Sequence, residues 1–564
     1  MTMTLHLAHW PSDVPRNLDL PDQTLYQNLL VTARRVPDHP AIHYYGTTLT
    51  YAQLLAAVDN LAGYLQAKLG VAKGDRVLLY MQNSPQFVIG YFAILRADAV
   101  VVPVNPMSKA TEMRHLVEDT GASAALVGQE LLPQITPLTG TGNLKGIVAA
   151  TYAEMTDAEW DIALPAELAT LSSSSIDAPG VCPWAEALDA GIQPAPTTAG
   201  LDDIAVIPYS SGTTGLPKGC VHTNRTVQAT AFGSVLWNPI DENDTHLVSL
   251  PLFHVTGMQS SMNGPIISGG AMIIMTRWDR RIAARLIERF RITRWRSIAT
   301  MVIDLLNDAA LSDFDLSSLK GLGGGGAAMP AAVAKRLREV CGEDYIEGYG
   351  MSETIAGTHI NPVDAPKRQC LGIPVFEVDS RVVDVETRRQ CGPGEVGEII
   401  INAPQVFKGY WRRPEETEAA FLTLDGKRFL LTGDIGYYDD DGYFFMVDRA
   451  KRMINVAGFK VWPAEVEALM HRNAQIAEVC VIATPDARRG EAVKALVVPR
   501  SEPTPSEADI IAWCRAEMAT YKCPTKVSFV DNLPKSGTGK VNWRLLTERE
   551  REGRDRHELN SDGH

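Results

Sequence analysis

Between Tyr51 and Leu69 apolar residues recur at the spacing of one helical face, and Arg76–Tyr80 then reads as a short buried strand. A helix over Pro85–Leu95 and a strand over Ala99–Val104 repeat the sequence of elements. Strands alternating with helices predict a parallel sheet covered by helices, the layout of an α/β fold. Residues 136–200 break this rhythm: the run LSSSSIDAPG, with further Pro, Gly and Thr on both sides, predicts a mobile surface insertion. A second α/β series runs from 222 to 350, and 372–447 is rich in short strands and glycine turns. Beyond Arg449 the chain predicts its own helix (Pro463–His471), strands (Glu478–Ala483 and Lys494–Val498) and a further helix (Ser506–Thr520), a separate small α/β domain with a polar tail at 548–564.

The chemistry concentrates first in Ile204–Gly219, IAVIPYSSGTTGLPKG. An apolar, β-branched run delivers Ser210, Ser211, Thr213 and Thr214, interleaved with Gly212 and Gly215 and closed by Lys218. Glycines let backbone N–H groups turn toward an anion, hydroxyls add donors, and the lysine adds a point charge. The pattern is a phosphate-binding loop, but no Walker A loop, because Pro217 precedes the lysine and Gly219 follows it. GLGGGG at 321–326 matches GxGxxG in letters, a weak signal when the match stands alone.

Composition narrows the function classes. A formal charge of −14 argues against a nucleic-acid partner and leaves room for small anions held by locally concentrated positive charge. Eight cysteines without a CxxC pair fit reduced thiols better than a disulfide frame or a zinc site. The N-terminus lacks the pattern of a signal peptide, and the apolar stretches near 97–104 and 263–275 are too short or too broken by glycine to span a bilayer. The expectation is a cytoplasmic protein with no stable membrane insertion.

The string SSGTTGLPKG, together with EGYGMSET (347–354), GEIIINAPQVFKGYWRRPEET (397–417), TGD (432–434) and LPKSGTGKVNWR (533–544), resembles the motif set of the adenylate-forming enzymes. These include the acyl-CoA synthetases, the firefly luciferases and the adenylation domains of peptide synthetases. LRADAVVVPVNP also resembles a family string, with Asp98 where glycine is usual. The resemblance runs from about residue 24 to 547. It implies an α/β fold: a large N-terminal domain (1–449) of two layered α/β subdomains plus a β-barrel-like subdomain, a hinge at 450–451, and a small mobile C-terminal domain (452–547).

The implied reaction is ATP- and Mg2+-dependent joining of a carboxylic acid to coenzyme A. A carboxylate is a poor acyl donor, and converting it to an acyl-adenylate gives it a competent leaving group. The conversion forces one anion against the α-phosphate of another, so the site must supply fixed positive charge where they meet. By resemblance Lys540 is that charge, Glu353 and Thr214 are Mg2+ ligands, and His254 in PLFHVTGM stands beside the carboxylate. Ser352 replaces the usual threonine before the glutamate and keeps its hydroxyl. Tyr349 is expected to stack near adenine, with Glu347, Gly348, Gly326 and Ala327 bordering the nucleotide. Asp434 and Arg449 are expected to reach the ribose.

Lys451 falls at the position about which the small domain of such enzymes rotates between half-reactions, and Gly458 where the thiol arm of CoA enters. Lysines that plant coumarate ligases carry are replaced here by Asn455 and Ala457. The acyl pocket is expected along Val255, Thr256, Met258, Thr300, Met301, Gly324 and Gly325, an apolar, methionine-bearing wall suited to a flexible alkyl chain. A medium- or long-chain fatty acid is the first expectation and an aryl acid the second. A stand-alone enzyme loading a carrier protein, and an inactive adenylate binder, are the further alternatives. A homodimer stays compatible with all of them.

Overall fold

The computed structural model describes residues 4–210, 217–326, 328–457, 459–486, 488–500, 504–535, 541–550 and 552. The chain divides into two compact units: Met1–Ser380 with Ile401–Leu430 and Asp441–Phe444, and Arg381–Ile400 with Leu431–Asp440 and Phe445–His564.

The first unit is built on two sheets. One orders its strands His222–Thr223, Ile204–Val206, Val100–Val104, Arg76–Tyr80, Ala124–Gly128, Gly146–Ala150 and Val181–Pro183. All its pairings are parallel except the edge strand His222–Thr223. The other sheet has nine strands and a parallel centre, running from Tyr345–Met351 through Gly321–Gly325, Arg294–Ser297, Thr245–Val248 and Ala271–Ile274 to Pro40–Tyr44. Residues of both sheets, among them Leu79, Val101, Leu247 and Ile273, share one core with helix Pro85–Arg96. That helix is apolar on every side, as a helix sandwiched between layers must be. Its Gly90 lets the layers close, because a Cβ there would lie 2.8 Å from Leu126 Cδ1.

One sequence expectation changes in detail, and one departure from the family string finds its reason. Residues 136–200 are more than a surface insertion, because Gly146–Ala150 is a fully buried parallel strand and Val181–Pro183 extends the same sheet. The exposed Ser-rich run lies between them and masked the strands in composition. At Asp98 the backbone takes φ +58, the left-handed region that favours glycine. An aspartate tolerates it here because its carboxylate accepts from Thr198 N at 2.6 Å and Thr198 Oγ1 at 2.9 Å.

In the second unit Ile476–Asp486 and Gly490–Pro499 form a long antiparallel pair, and Lys526–Phe529 joins the latter in parallel. The hairpin Ile454–Val456 and Phe459–Val461 continues that sheet. Helices Pro463–Met470 and Glu507–Glu517 supply Val466, Met470, Ile510 and Cys514 to its core. All eight cysteines are free. Among the described residues no helix is long and apolar enough to cross a membrane.

Candidate active site

Tyr209–Ser210 and Lys218–Gly219 pair antiparallel with Ser210 opposite Lys218, and the Ser210 hydroxyl donates to Lys218 O at 3.5 Å. Ser211, Gly212, Thr213, Thr214 and Gly215 lie outside the described residues. Residues 408–411 run beside the return arm, with Trp411 N donating to Gly219 O at 2.8 Å and Val221 N to Gly409 O at 3.0 Å. This alignment brings Tyr410 under the loop's lysine. Lys218 Nζ stands 5.2 Å from the centroid of the Tyr410 ring and 3.9 Å from Glu416 Oε1. The Tyr410 hydroxyl in turn donates to Glu353 Oε1 at 2.9 Å. One ring therefore joins the lysine of the phosphate loop to the carboxylate expected to meet the metal. Burial, reinforced by the Glu353 charge, pushes the Tyr410 hydroxyl well above the usual tyrosine range, so it remains a donor.

Glu353 sits in the single turn Ser352–Thr354 after strand Tyr345–Met351 and is 8% exposed. Its backbone carbonyl accepts from Phe407 N at 2.8 Å. His222 Nε2 donates to Ser352 O at 2.8 Å, and burial lowers that histidine to about 4, which keeps it neutral. Directly after the turn Ile355 and Ala356 take φ +45 and +99, left-handed conformations that cost energy when a Cβ is present. The backbone strain lies next to the carboxylate that it aims.

Glu347 is buried, and its two carboxylate oxygens accept from Met329 N and Gln369 N, both at 2.7 Å. It ties the segment after Gly326 to the central sheet. Gly326 has φ +86, and Ala327 lies outside the described residues. Gly348 is in register with Gly325, and the Tyr349 ring stands 5.6 Å from the His359 ring at a 59° tilt.

His254 is exposed and caps the turn Val255–Gly257, its Nδ1 accepting from Thr256 N at 3.3 Å. Accepting at Nδ1 places the ring proton on Nε2 when the imidazole is neutral. Val255 and Met258 are buried in the main core, while Thr256 and Met301 are half-buried and Thr300 is exposed. Met301 Sδ accepts from Ser249 Oγ at 3.8 Å. Gly324 and Gly325 keep part of their surface open.

Within the second unit the two residues expected at the ribose meet each other. Arg449 Nε is 2.6 Å from Asp434 Oδ1. Lys451 is exposed on the turn Ala450–Arg452. Its neighbours are anchored: Asp448 accepts from Ala464 N at 2.6 Å, at the start of helix Pro463–Met470, and Arg452 pairs with Glu467. Lys535 bridges Val541, while Gly458 and Lys540 lie outside the described residues.

Tyr410 was absent from the expected set. Its partner Glu353 is 57 residues away in the chain, and in the sequence it is one aromatic among several in VFKGYW.

The family described as AMP-binding enzyme matches residues 29–411, and the AMP-binding enzyme C-terminal domain matches 465–540. A long-chain-fatty-acid–CoA ligase of Bacillus subtilis (strain 168) is 34% identical over 555 residues, covering 97% of this chain and 98% of that one. A feruloyl-CoA synthase of an Amycolatopsis species is 33% identical over 511 residues, covering 90% and 95%. The ATP-bound structure of MatB from Rhodopseudomonas palustris superposes with a TM-score of 0.81 at 26% identity, covering 94% of this chain and 99% of that one. The chain belongs to the AMP-binding, adenylate-forming enzymes and is an AMP-forming acyl-CoA ligase that uses ATP and CoA.

Proposed function

We propose that the acid is a medium- or long-chain alkyl acid, joined to CoA through its adenylate, with an aryl acid as the second reading. The alkyl reading is supported by relatives named long-chain-fatty-acid–CoA ligase at 31–34% identity over 97% of this chain. The feruloyl-CoA synthase keeps the aryl reading in view. The observation that carries the chemistry is the Lys218, Tyr410, Glu353 contact at the mouth of the hydroxyl-rich hairpin.

In this reading Lys218 and the loop hydroxyls hold the ATP phosphates. Glu353, a near-buried carboxylate with one oxygen already oriented by Tyr410, fits a magnesium ion, which takes one or two carboxylates and draws its other oxygens from phosphate and water. When bound, the ion neutralises charge on the polyphosphate. His254 orients the carboxylate, Tyr349 flanks adenine, and Asp434 with Arg449 receives the ribose hydroxyls. Lys540 stabilises the charge that develops as the carboxylate attacks the α-phosphate and pyrophosphate leaves. Lys451 is the pivot, and Gly458 leaves room for the thiol that then attacks the acyl carbon and expels AMP.

The deciding assay is AMP release from an acid panel, with and without CoA. AMP release that depends on both CoA and an alkyl acid supports the reading. Adenylation with no CoA-dependent turnover favours a carrier protein as acceptor, and turnover confined to aryl acids overturns the alkyl assignment.

A further inference from the structure

Arg296 lies on Arg294–Ser297, the fifth of the nine strands, and stands in register with Gly323 of Gly321–Gly325. Parallel register places both on one face of the sheet. A Cβ at position 323 would fall 2.4 Å from Arg296 Nη1 and 2.4 Å from Ile346 O, so only glycine there lets the guanidinium lie across the wall. Among the described residues Arg296 has neither a hydrogen bond nor an ion pair.

Its surroundings sharpen the point. Arg294, two positions back on the same face, is engaged: its Nε meets Asp244 Oδ1 at 2.9 Å and its Nη2 donates to Pro239 O at 2.7 Å. The Asp244 carboxylate is therefore taken by Arg294, whose positive charge is felt at Arg296. His246, in register with Arg294, has Nε2 buried without a partner, and burial lowers it to about 3, so it is neutral. Burial, with the Arg294 charge, lowers Arg296 to about 10, which leaves it a cation at neutral pH. Part of its surface stays reachable by solvent.

A guanidinium brings five N–H donors in a planar fork, and deep in a sheet it has shed most of its water. The donors are in place and, among the described residues, no acceptor meets them. Gly323 lies three residues before Gly326, and at about 3.3 Å per strand residue the cation stands on the order of 10 Å from the end of the strand expected to meet the nucleotide.

We propose that the acid carries a second carboxylate, received by the fork of Arg296, so that the substrate class is an α,ω-dicarboxylic acid activated at one end. The inference rests on the acid–CoA ligase reading and narrows its alkyl acid. A methyl-terminated chain would leave the guanidinium both desolvated and unpaired, and a site built for a polar group rejects such an analogue strongly.

The test compares CoA-dependent AMP release by the full chain for mono- and dicarboxylic acids of equal carbon number, from short to long. The wild type is expected to favour the dicarboxylate by about 100-fold or more in kcat/KM. Arg296→Met should erase that preference, and Arg296→Lys, which keeps the charge and loses the fork, should restore part of it. A wild type that takes plain alkyl acids as well as dicarboxylates overturns the inference and leaves the ligase reading standing, a comparison that holds even if the variants fail to fold. Absence of AMP with every acid overturns the ligase reading and this inference with it.

Discussion

Arg449 Nε lies 2.6 Å from Oδ1 of Asp434, a carboxylate with no exposed surface, while the arginine itself is 45% exposed. Thr432 Oγ1 accepts from Asp434 N at 3.0 Å and donates to Ile399 O, which fixes the backbone beneath the pair. A buried carboxylate held this way is fixed in orientation, and the guanidinium limits the cost of its desolvation.

In the proposed ribose role, Asp434→Asn loses charge-assisted bonds to the ribose hydroxyls and should raise the KM for ATP about tenfold or more. Arg449→Ala should raise it as well, because it leaves the buried Asp434 carboxylate without the guanidinium at 2.6 Å. Initial rates against ATP concentration, with thermal melts to confirm folding, check both. Equal KM values for Asp434→Asn and wild type would remove the ribose role.

Tyr410→Phe keeps the ring under Lys218 and deletes the hydrogen bond to Glu353. A bond to a charged group contributes about 1.5–3 kcal/mol, so the Mg2+ concentration for half-maximal AMP release should rise by about tenfold or more. An unchanged Mg2+ titration would show that Glu353 is oriented without the tyrosine.

Lys540→Ala is expected to slow acid-dependent pyrophosphate exchange by at least about 100-fold, the loss typical of one preorganised donor. Gly458→Leu should spare that exchange and abolish thioester formation, since a side chain there would obstruct the thiol. Equal loss of both steps in Gly458→Leu would count against two separate closures of one site.

The buried histidines set the acid limb of stability. His222 is lowered to about 4 by burial, against the unfolded value of 6.5, so below pH 6.5 the unfolded chain binds a proton that the folded chain refuses. Stability must fall as pH drops from about 6.5 to 4, by up to about 3 kcal/mol from this residue. His246 and His359, each lowered to about 3 by burial, act in the same sense. Denaturant melts between pH 7 and 4 should show the decline, and His222→Gln should make it shallower. A flat profile would exclude these residues as its source.

The strand Arg76–Tyr80 has the bounds that its apolar run implies, and helix Pro85–Arg96 ends one residue beyond its expected limit. The phosphate hairpin, the carboxylate turn at Glu353 and the helix opening at Pro463 were likewise visible as local strings. Periodicity and turn chemistry act within about a dozen residues, so they survive reading one residue at a time.

Tyr410 against Glu353, Arg449 against Asp434, and Arg296 without a counterion among the described residues were visible in no such window. Each depends on register or on alignment of distant segments: residues 408–411 laid along 219–221, and Arg296 set opposite Gly323. The sequence by itself determined the layered α/β fold and the family's motif set, because periodicity and backbone freedom are local properties. Only the tertiary structure decided which of those groups meet and which cation is left waiting, because a charge is satisfied by its neighbours in space.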